Sequence, residues 1–586
     1  MIMKKLLTIL LCLFILIGCS SKKEDKDNKS DEAIANYVEP DYIVEPHDYE
    51  LPEYYHYEIG DFKERCSKLA EEAENGVFDA ELYDELYNEV LFIDDLANVA
   101  FFNYAINVNN EENQAESLYT DALVDQVEDS FSTAANKISK SSVAEEYRKH
   151  LNNDLMYEGF ASYNEKSQEE FDLLNRENEL IQEYNSLSSL SGEYTATIAG
   201  KEYTFDFLCS EQANDLYNQY PNEFANAYYQ CMKDFSDDCG EIYLELVQIR
   251  DRIAKLNGYD NFAEYEDKEE YFRNYDISRL DNFKDAIKEY GANISFYLSK
   301  FYLGDTYELT DEKLLNDFGN VLKQVSPKMY EYFEKFASNP NNYSIGSNSD
   351  RYSGSFMNNI FTQQAGVFFL TTTGSCMDYF TMAHEFGHFI NASRVPVTNP
   401  IIFTASYDIF EAQSSGLELL FGQKAQNVFG DKQDLSMACD MSEKYYGILC
   451  ACIYDDWQRY VYTHTDMSVE ELDEKFYEIA TDYGYYSSPY DWAYLPHNFD
   501  SPMYYLSYGV AYFTSLSIWD QSQTDFEKAV KQWEMVIDTD ASSVGYFEMV
   551  DKLGLKSIEN KNDLKEVIED TLTYMDDVYA KYYNED

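Results

Sequence analysis

His384-Glu385-Phe386-Gly387-His388 sets two imidazoles four residues apart with a carboxylate directly after the first. On a helix, positions i and i+4 share a face, so both rings can grip one metal ion while Glu385 reaches a water beside it. The chain holds only 7 histidines in 586 residues, so the spacing is a rare coincidence if it is one. Met377, Phe380, Met382, Ala383, Phe386, Phe389 and Ile390 surround the pair, and the helix is expected to be mostly buried. Unpartnered His and Glu are costly in such a place, and a bound metal removes that cost.

A tetrahedral catalytic zinc needs a third protein ligand and an open position for water. Glu411 is the candidate. Read as a helix, Glu411, Ser415 and Glu418 fall at i, i+4 and i+7, a polar stripe among Ile409, Phe410, Ala412, Leu417, Leu419 and Leu420. Asp408, three residues earlier, reads equally as a carboxylate supporting the ligands or as a charge at a helix N-terminus.

The metal helix and the following Phe-Glu-Ala-Gln-Ser-Ser segment resemble the thimet oligopeptidase and oligoendopeptidase F family of zinc metallopeptidases. Arg250 to Glu264 (RDRIAKLNGYDNFAE) is similar to that family's Arg-x-x-x-Ala-x-x-x-Gly-Tyr segment. Gly354-Ser355-Phe356 and Gly366-Val367-Phe368-Phe369-Leu370 resemble its strands before the metal helix, and His497 to Tyr508 (HNFDSPMYYLSY) resembles its late His-Tyr segment. The likeness runs from about Glu183 to about Trp519. It implies one zinc per chain on His384, His388 and Glu411, with Glu385 as general base. It also implies that Tyr508 and His497, with Tyr505 as a further candidate, donate to the oxyanion that forms during peptide hydrolysis. Relatives commonly carry a further histidine where this chain has Asn391, and another where it has Tyr494. The first change should touch support of the ligands rather than ligation; the second leaves open which late residue aims at the oxyanion.

At the amino end, Lys4 and Lys5 precede an apolar run from Leu6 to Ile17, too short to cross a bilayer, that ends at Leu16-Ile17-Gly18-Cys19. This resembles a bacterial lipoprotein signal, with Cys19 as the lipidated first residue after removal of residues 1–18. Residues 19–58 are expected to be a flexible acidic tether, polar to Asp31 and then interrupted by Pro40, Pro46 and Pro52. The expected location is the extracytoplasmic face of the cell membrane, held by lipid alone.

Helical periodicity dominates the rest: Phe62 to Glu74, Ala80 to Phe102, Glu169 to Leu190, Asn222 to Lys255 and Leu280 to Phe301 place apolar residues at i, i+3 or i+4. Tyr194 to Phe207 reads as a hairpin about Ala199-Gly200, and Gly366 to Thr373 as a buried or edge strand. The strand near Phe368 is the expected partner for an extended substrate backbone. Residues 59–345 are expected to form a helical wall and residues 346–586 the zinc-binding region. By the resemblance the fold is mainly α, a helical zincin-type peptidase whose two halves enclose a deep cleft, with a small β-sheet near the active site.

The balance of 44 basic against 109 acidic residues gives a charge of −65, which excludes nucleic acid and bare anionic lipid as favoured partners. Of ten cysteines, Cys12 leaves with the signal and eight are scattered without metal-type spacing. Cys376 stands about 12 Å along a helix from His384, too far to share its metal. The expected activity is therefore a monomeric zinc endopeptidase on short oligopeptides. A zinc exopeptidase of carboxypeptidase type, or a surface lipoprotein that binds peptide or zinc without turnover, are the alternatives. The presence of Glu385, His497 and Tyr508 argues against the last, since binding alone needs no general base.

Overall fold

The computed structural model describes residues 29–583, apart from 165, 299, 302, 304–306, 308, 349 and 402–404. The expected signal and the lipidation site Cys19 lie outside the described residues. Helices α1 (Phe62–Glu74), α2 (Ala80–Ile106) and α3 (Glu111–Ser139) pack around their own core of Phe62, Leu69, Tyr83, Leu86, Val90, Val127, Phe131 and Phe160. Asp79 and Asn110 cap α2 and α3 by accepting from first-turn amides, as short polar side chains at helix starts do.

Helix α4 (Gln168–Ser188) leads to a hairpin of β1 (Thr195–Ile198) and β2 (Lys201–Thr204). Its two-residue turn has φ of 50° at Ala199 and 78° at Gly200, the left-handed pair that matches strand twist. Helices α5 (Pro221–Leu256) and α6 (Asp281–Tyr297) follow, then α7 (Asp311–Val325) and α8 (Pro327–Ser338). Tyr184, Phe235, Tyr243 and Leu246 of α4 and α5 join one core with Trp457, Phe499 and the residues around the metal motif. The expected boundary at residue 345 is therefore not a boundary of packing. The separate core runs to the short helix Asp154–Ser162 and takes in Ile401, the hairpin and the start of α5 form a small cluster of their own around Ile198, Phe205 and Cys231, and α4 with the rest of α5 packs onto the catalytic region.

Strands β3 (Tyr343–Gly346), β4 (Phe356–Ile360) and β5 (Ala365–Thr371) form a sheet in the order β3-β5-β4, with β5 parallel to β3 and antiparallel to β4. The apolar run AGVFFLT is thus a central strand with both edges paired, and it cannot bind a substrate backbone as expected. An unbroken hydrophobic run does not tell a buried central strand from an edge. The outer strand nearest the metal motif is β4. Helices α9 (Met377–Arg394), α10 (Tyr407–Lys424), α11 (Gln433–Thr463), α12 (Tyr505–Thr524) and α13 (Phe526–Ile537) complete the catalytic core. Among the described residues no helix is long and apolar enough to cross a membrane.

Residues 29–58 correct the expected flexible tether, because they lie along this core. Val44 donates its amide to Arg394 O at the end of α9 (2.9 Å), and Tyr49, buried, donates its hydroxyl to Gly366 O on β5 (3.0 Å). Tyr37 donates to Asp538 (2.6 Å), and Gln532 donates to Ser30 (2.8 Å). Tyrosines combine a large apolar ring with a hydroxyl that finds a carbonyl or carboxylate, so a proline-broken stretch can dock without any regular apolar period.

Candidate active site

The metal motif sits on α9 with its back to a phenylalanine cluster. Phe386 packs against Phe318 of α7 and Phe333 and Phe336 of α8 at centroid distances of 5.3, 5.5 and 5.6 Å, while Phe389 lies 5.0 Å from Phe336. Burying each such ring stabilises by roughly 1.5–3 kcal/mol, which fixes the rotation of α9 and turns the two histidines the other way. The start of α9 is fastened by Asp378, which accepts from Thr373 N (2.9 Å) and Gly374 N (2.7 Å) in the turn after β5.

Gly387, between the histidines, sets how close α10 can come. A Cβ there would stand 2.6 Å from Ser414 Cα, so only glycine admits the backbone of α10 at this point. That approach carries Glu411 to the histidines. Its Oε2 lies 3.3 Å from His384 Nε2 and 3.8 Å from His388 Nε2, and the two Nε2 atoms are 3.3 Å apart. Ligands about 2.1 Å from a tetrahedral zinc stand about 3.4 Å from one another, so this triangle of two imidazoles and a carboxylate fits that ion.

Two of the three candidate ligands have a second partner that orients them. His384 Nδ1 pairs with Glu418 Oε1 at 2.8 Å, and Lys444 Nζ donates to both Glu418 Oε2 and Asp440 Oδ1 at 2.9 Å. A carboxylate on the far nitrogen fixes the tautomer that presents Nε2 to a metal. Glu411 Oε1 accepts from the Tyr504 hydroxyl at 2.6 Å, leaving Oε2 for the ligand side. Burial works against its charge, but His384, His388 and Tyr504 hold the Glu411 carboxyl down to about 2. Burial pushes Glu385 the other way, up to about 7, where a carboxylate can both take and return a proton. The Met357 backbone on β4 opposes that rise, which places Glu385 between the histidines and the outer strand.

The late segment is aimed from a distance. Arg250 of α5, fully buried, donates to Asn498 O (3.2 Å) and Phe499 O and to Glu177 Oε1 (2.7 Å). Arg273, equally buried, donates to Met503 O (3.0 Å) and Ser507 Oγ (2.8 Å), and Ser507 donates to Asp408 (2.7 Å). Asp408 therefore touches no ligand; it ties the start of α10 to the start of α12. Met503 takes a positive φ of 65°, a turn secured by Gln458 on its amide (2.8 Å). The His497 ring ends 5.8 Å from Tyr504, 5.0 Å from Tyr505 and 6.4 Å from Tyr508, and Tyr508 lies 5.0 Å from Tyr504.

The sequence reading thus named His384, Glu385, His388, Glu411, His497 and Tyr508, which the fold gathers, and Tyr505, which stands beyond His497 toward Tyr454 (5.7 Å). Tyr504, not Tyr505, bonds a ligand. Glu418 went unassigned although its i+7 spacing from Glu411 put it on the same face. Asn391 donates to Ile537 O (2.8 Å) and caps the last turn of α13, so it supports helix packing rather than the ligands. Tyr494 packs on Phe235 (4.5 Å), away from the ligands. Among the described residues no cysteine is in a disulfide.

A mainly helical protein with an embedded three-stranded sheet and a His-Glu-x-x-His helix facing a glutamate helix defines the architectural class. Solved structures share it. A candidate oligoendopeptidase F from Bacillus anthracis matches with TM-score 0.69 and 20% identity, over 91% of this chain and 99% of that one. PZ peptidase A, solved with an inhibitor, matches with TM-score 0.70 and 16% identity over 90% and 98%. Oligoendopeptidase F from Enterococcus faecium matches with TM-score 0.55 and 12% identity over 89% and 98%. No family model matches the chain, and no curated protein sequence matches it significantly. The chain has the oligoendopeptidase F fold.

Proposed function

We propose that this chain is a zinc-dependent endopeptidase of the oligoendopeptidase F kind, hydrolysing short peptides. The observation that carries the reading is the ligand triangle of His384, His388 and Glu411 with Glu385 beside it. A zinc ion held there would supply the Lewis acidity that polarises a peptide carbonyl and activates a water. Glu385 takes a proton from the attacking water at its carboxylate and delivers it to the leaving amine nitrogen. Tyr508 Oη and the His497 ring donate to the carbonyl oxygen as it gains charge. The outer strand β4 is the edge on which an extended peptide can add main-chain hydrogen bonds. Short peptides are the substrates this reading favours, since unfolding a stable domain to reach a cleft costs about 5–15 kcal/mol.

The lipoprotein-like start places the enzyme, in this reading, outside the cytoplasmic membrane. Equilibrium dialysis against zinc tests the metal reading: one ion per chain is expected, and Glu411→Ala should lose it. Zinc bound equally by Glu411→Ala would overturn the ligand set.

A further inference from the structure

A cavity of 270 Å³ lies one ring away from His497. Tyr505 separates them, 5.0 Å from His497 on one side and 5.7 Å from Tyr454 in the cavity wall on the other. Tyr446, Cys450 and Tyr454 line the wall from one face of α11 at i, i+4 and i+8, and Phe476, Tyr485 and Asp491 close it. Asp491 is the charged group in this box. Its carboxylate accepts from Ser488 N at 3.2 Å and from the Ser487 side chain, and among the described residues it forms no ion pair with Lys or Arg. Its charge is felt by Cys450, Tyr454 and Tyr485, which places it against the cavity rather than out in solvent.

Aromatic faces attract positive charge, and a carboxylate among them completes a site for an ammonium or guanidinium group. A neutral aliphatic side chain would fill such a box and leave the carboxylate desolvated without a counter-charge. We infer that this cavity is a specificity pocket for a cationic side chain, Lys or Arg, of the bound peptide. The inference rests on the peptidase reading and adds to it a substrate preference. Burial pushes the Asp491 carboxyl up to about 6, and a cation seated beside it offsets that cost. The chain's charge of −65 favours any cationic peptide in a diffuse way, whereas a pocket acts at one peptide position.

The test uses zinc-loaded Glu385→Gln protein, titrated with end-blocked peptides in which a single Lys, Arg or norleucine moves along a constant frame. At one position Lys and Arg should bind about tenfold more tightly than norleucine. Asp491→Asn should remove that difference and leave the norleucine peptides within about twofold. Cys450→Phe, which fills the box and leaves Asp491 in place, should also lose the preference. Equal Lys preference at every position, or a preference that survives Asp491→Asn, overturns the pocket. Turnover of the same peptides by the unsubstituted chain separates the two readings. Positional binding without cleavage overturns the peptidase reading and keeps the pocket, and cleavage without positional preference does the reverse.

Discussion

The ligand triangle and the late segment meet in one site but are held in different ways. Around the triangle, His384 leans on Glu418, Lys444 and Asp440 from helices α10 and α11, and Glu411 leans on Tyr504, which reaches back from the late segment just before α12. The late segment hangs on backbone carbonyls gripped by Arg250 and Arg273, and its histidine is left uncommitted: His497 Nδ1 is buried without a hydrogen-bond partner. The difference teaches a division of labour. In the proposed metal centre the ligands are fixed before an ion arrives, because their mutual repulsion and desolvation must be met in the folded chain. A group whose partner exists only in the transition state keeps its hydrogen-bonding capacity free until then.

The largest break of this comparison is expected at Glu385. Glu385→Gln should leave zinc bound and lower kcat by about 10² to 10⁴, the range that a positioned general base supplies. Metal analysis beside single-turnover kinetics checks it, and turnover at the unsubstituted rate would sink the assignment. Next comes the late segment, where Tyr508→Phe should lower kcat by about 10² to 10³ with little change in KM, as loss of one oxyanion donor does. His497→Ala should act in the same way if the two aim at one oxygen, and unchanged kcat in both would return the segment to a packing role.

A smaller effect is expected from the triangle's support. Glu418→Gln keeps the shape but weakens the hold on His384 Nδ1, and zinc affinity should fall about 10- to 100-fold, read by competition with a chelator. Unchanged affinity would mean that the Glu418 contact does not orient the ring. The smallest concerns Asn391→Ala, which removes its bond to Ile537 O. Stability to denaturant should drop by about 1 kcal/mol while zinc content stays the same, and a loss of zinc would move Asn391 into the site.

How far the sequence could be read follows the same divide. His384, Glu385 and His388 are legible because helical spacing is local and unambiguous, and Glu411 because it follows such a helix in a segment that resembles the second metal helix of the family. Glu418 shares its helix face, seven residues on, but its role depends on α9 crossing α10 at Gly387, a contact between helices that spacing within one helix does not reveal. Tyr504 was hidden by the positive φ at Met503, which breaks the phase that would extend α12 backward. Arg250 and Arg273 reach the late segment across more than two hundred residues of chain, and nothing in their neighbours announces the carbonyls they hold. The docked stretch 29–58 was masked by prolines, since period-based reading has no term for tyrosines that seat one at a time.

The central claim is that these residues cut peptide bonds within a chain. Mass mapping of the products from a short peptide blocked at both ends, incubated with the zinc-loaded protein and with its Glu385→Gln form, tests it most directly. Internal cuts by the first and an intact peptide with the second are the predicted result. A peptide left whole by both, or the same fragments at the same rate from both, would contradict it.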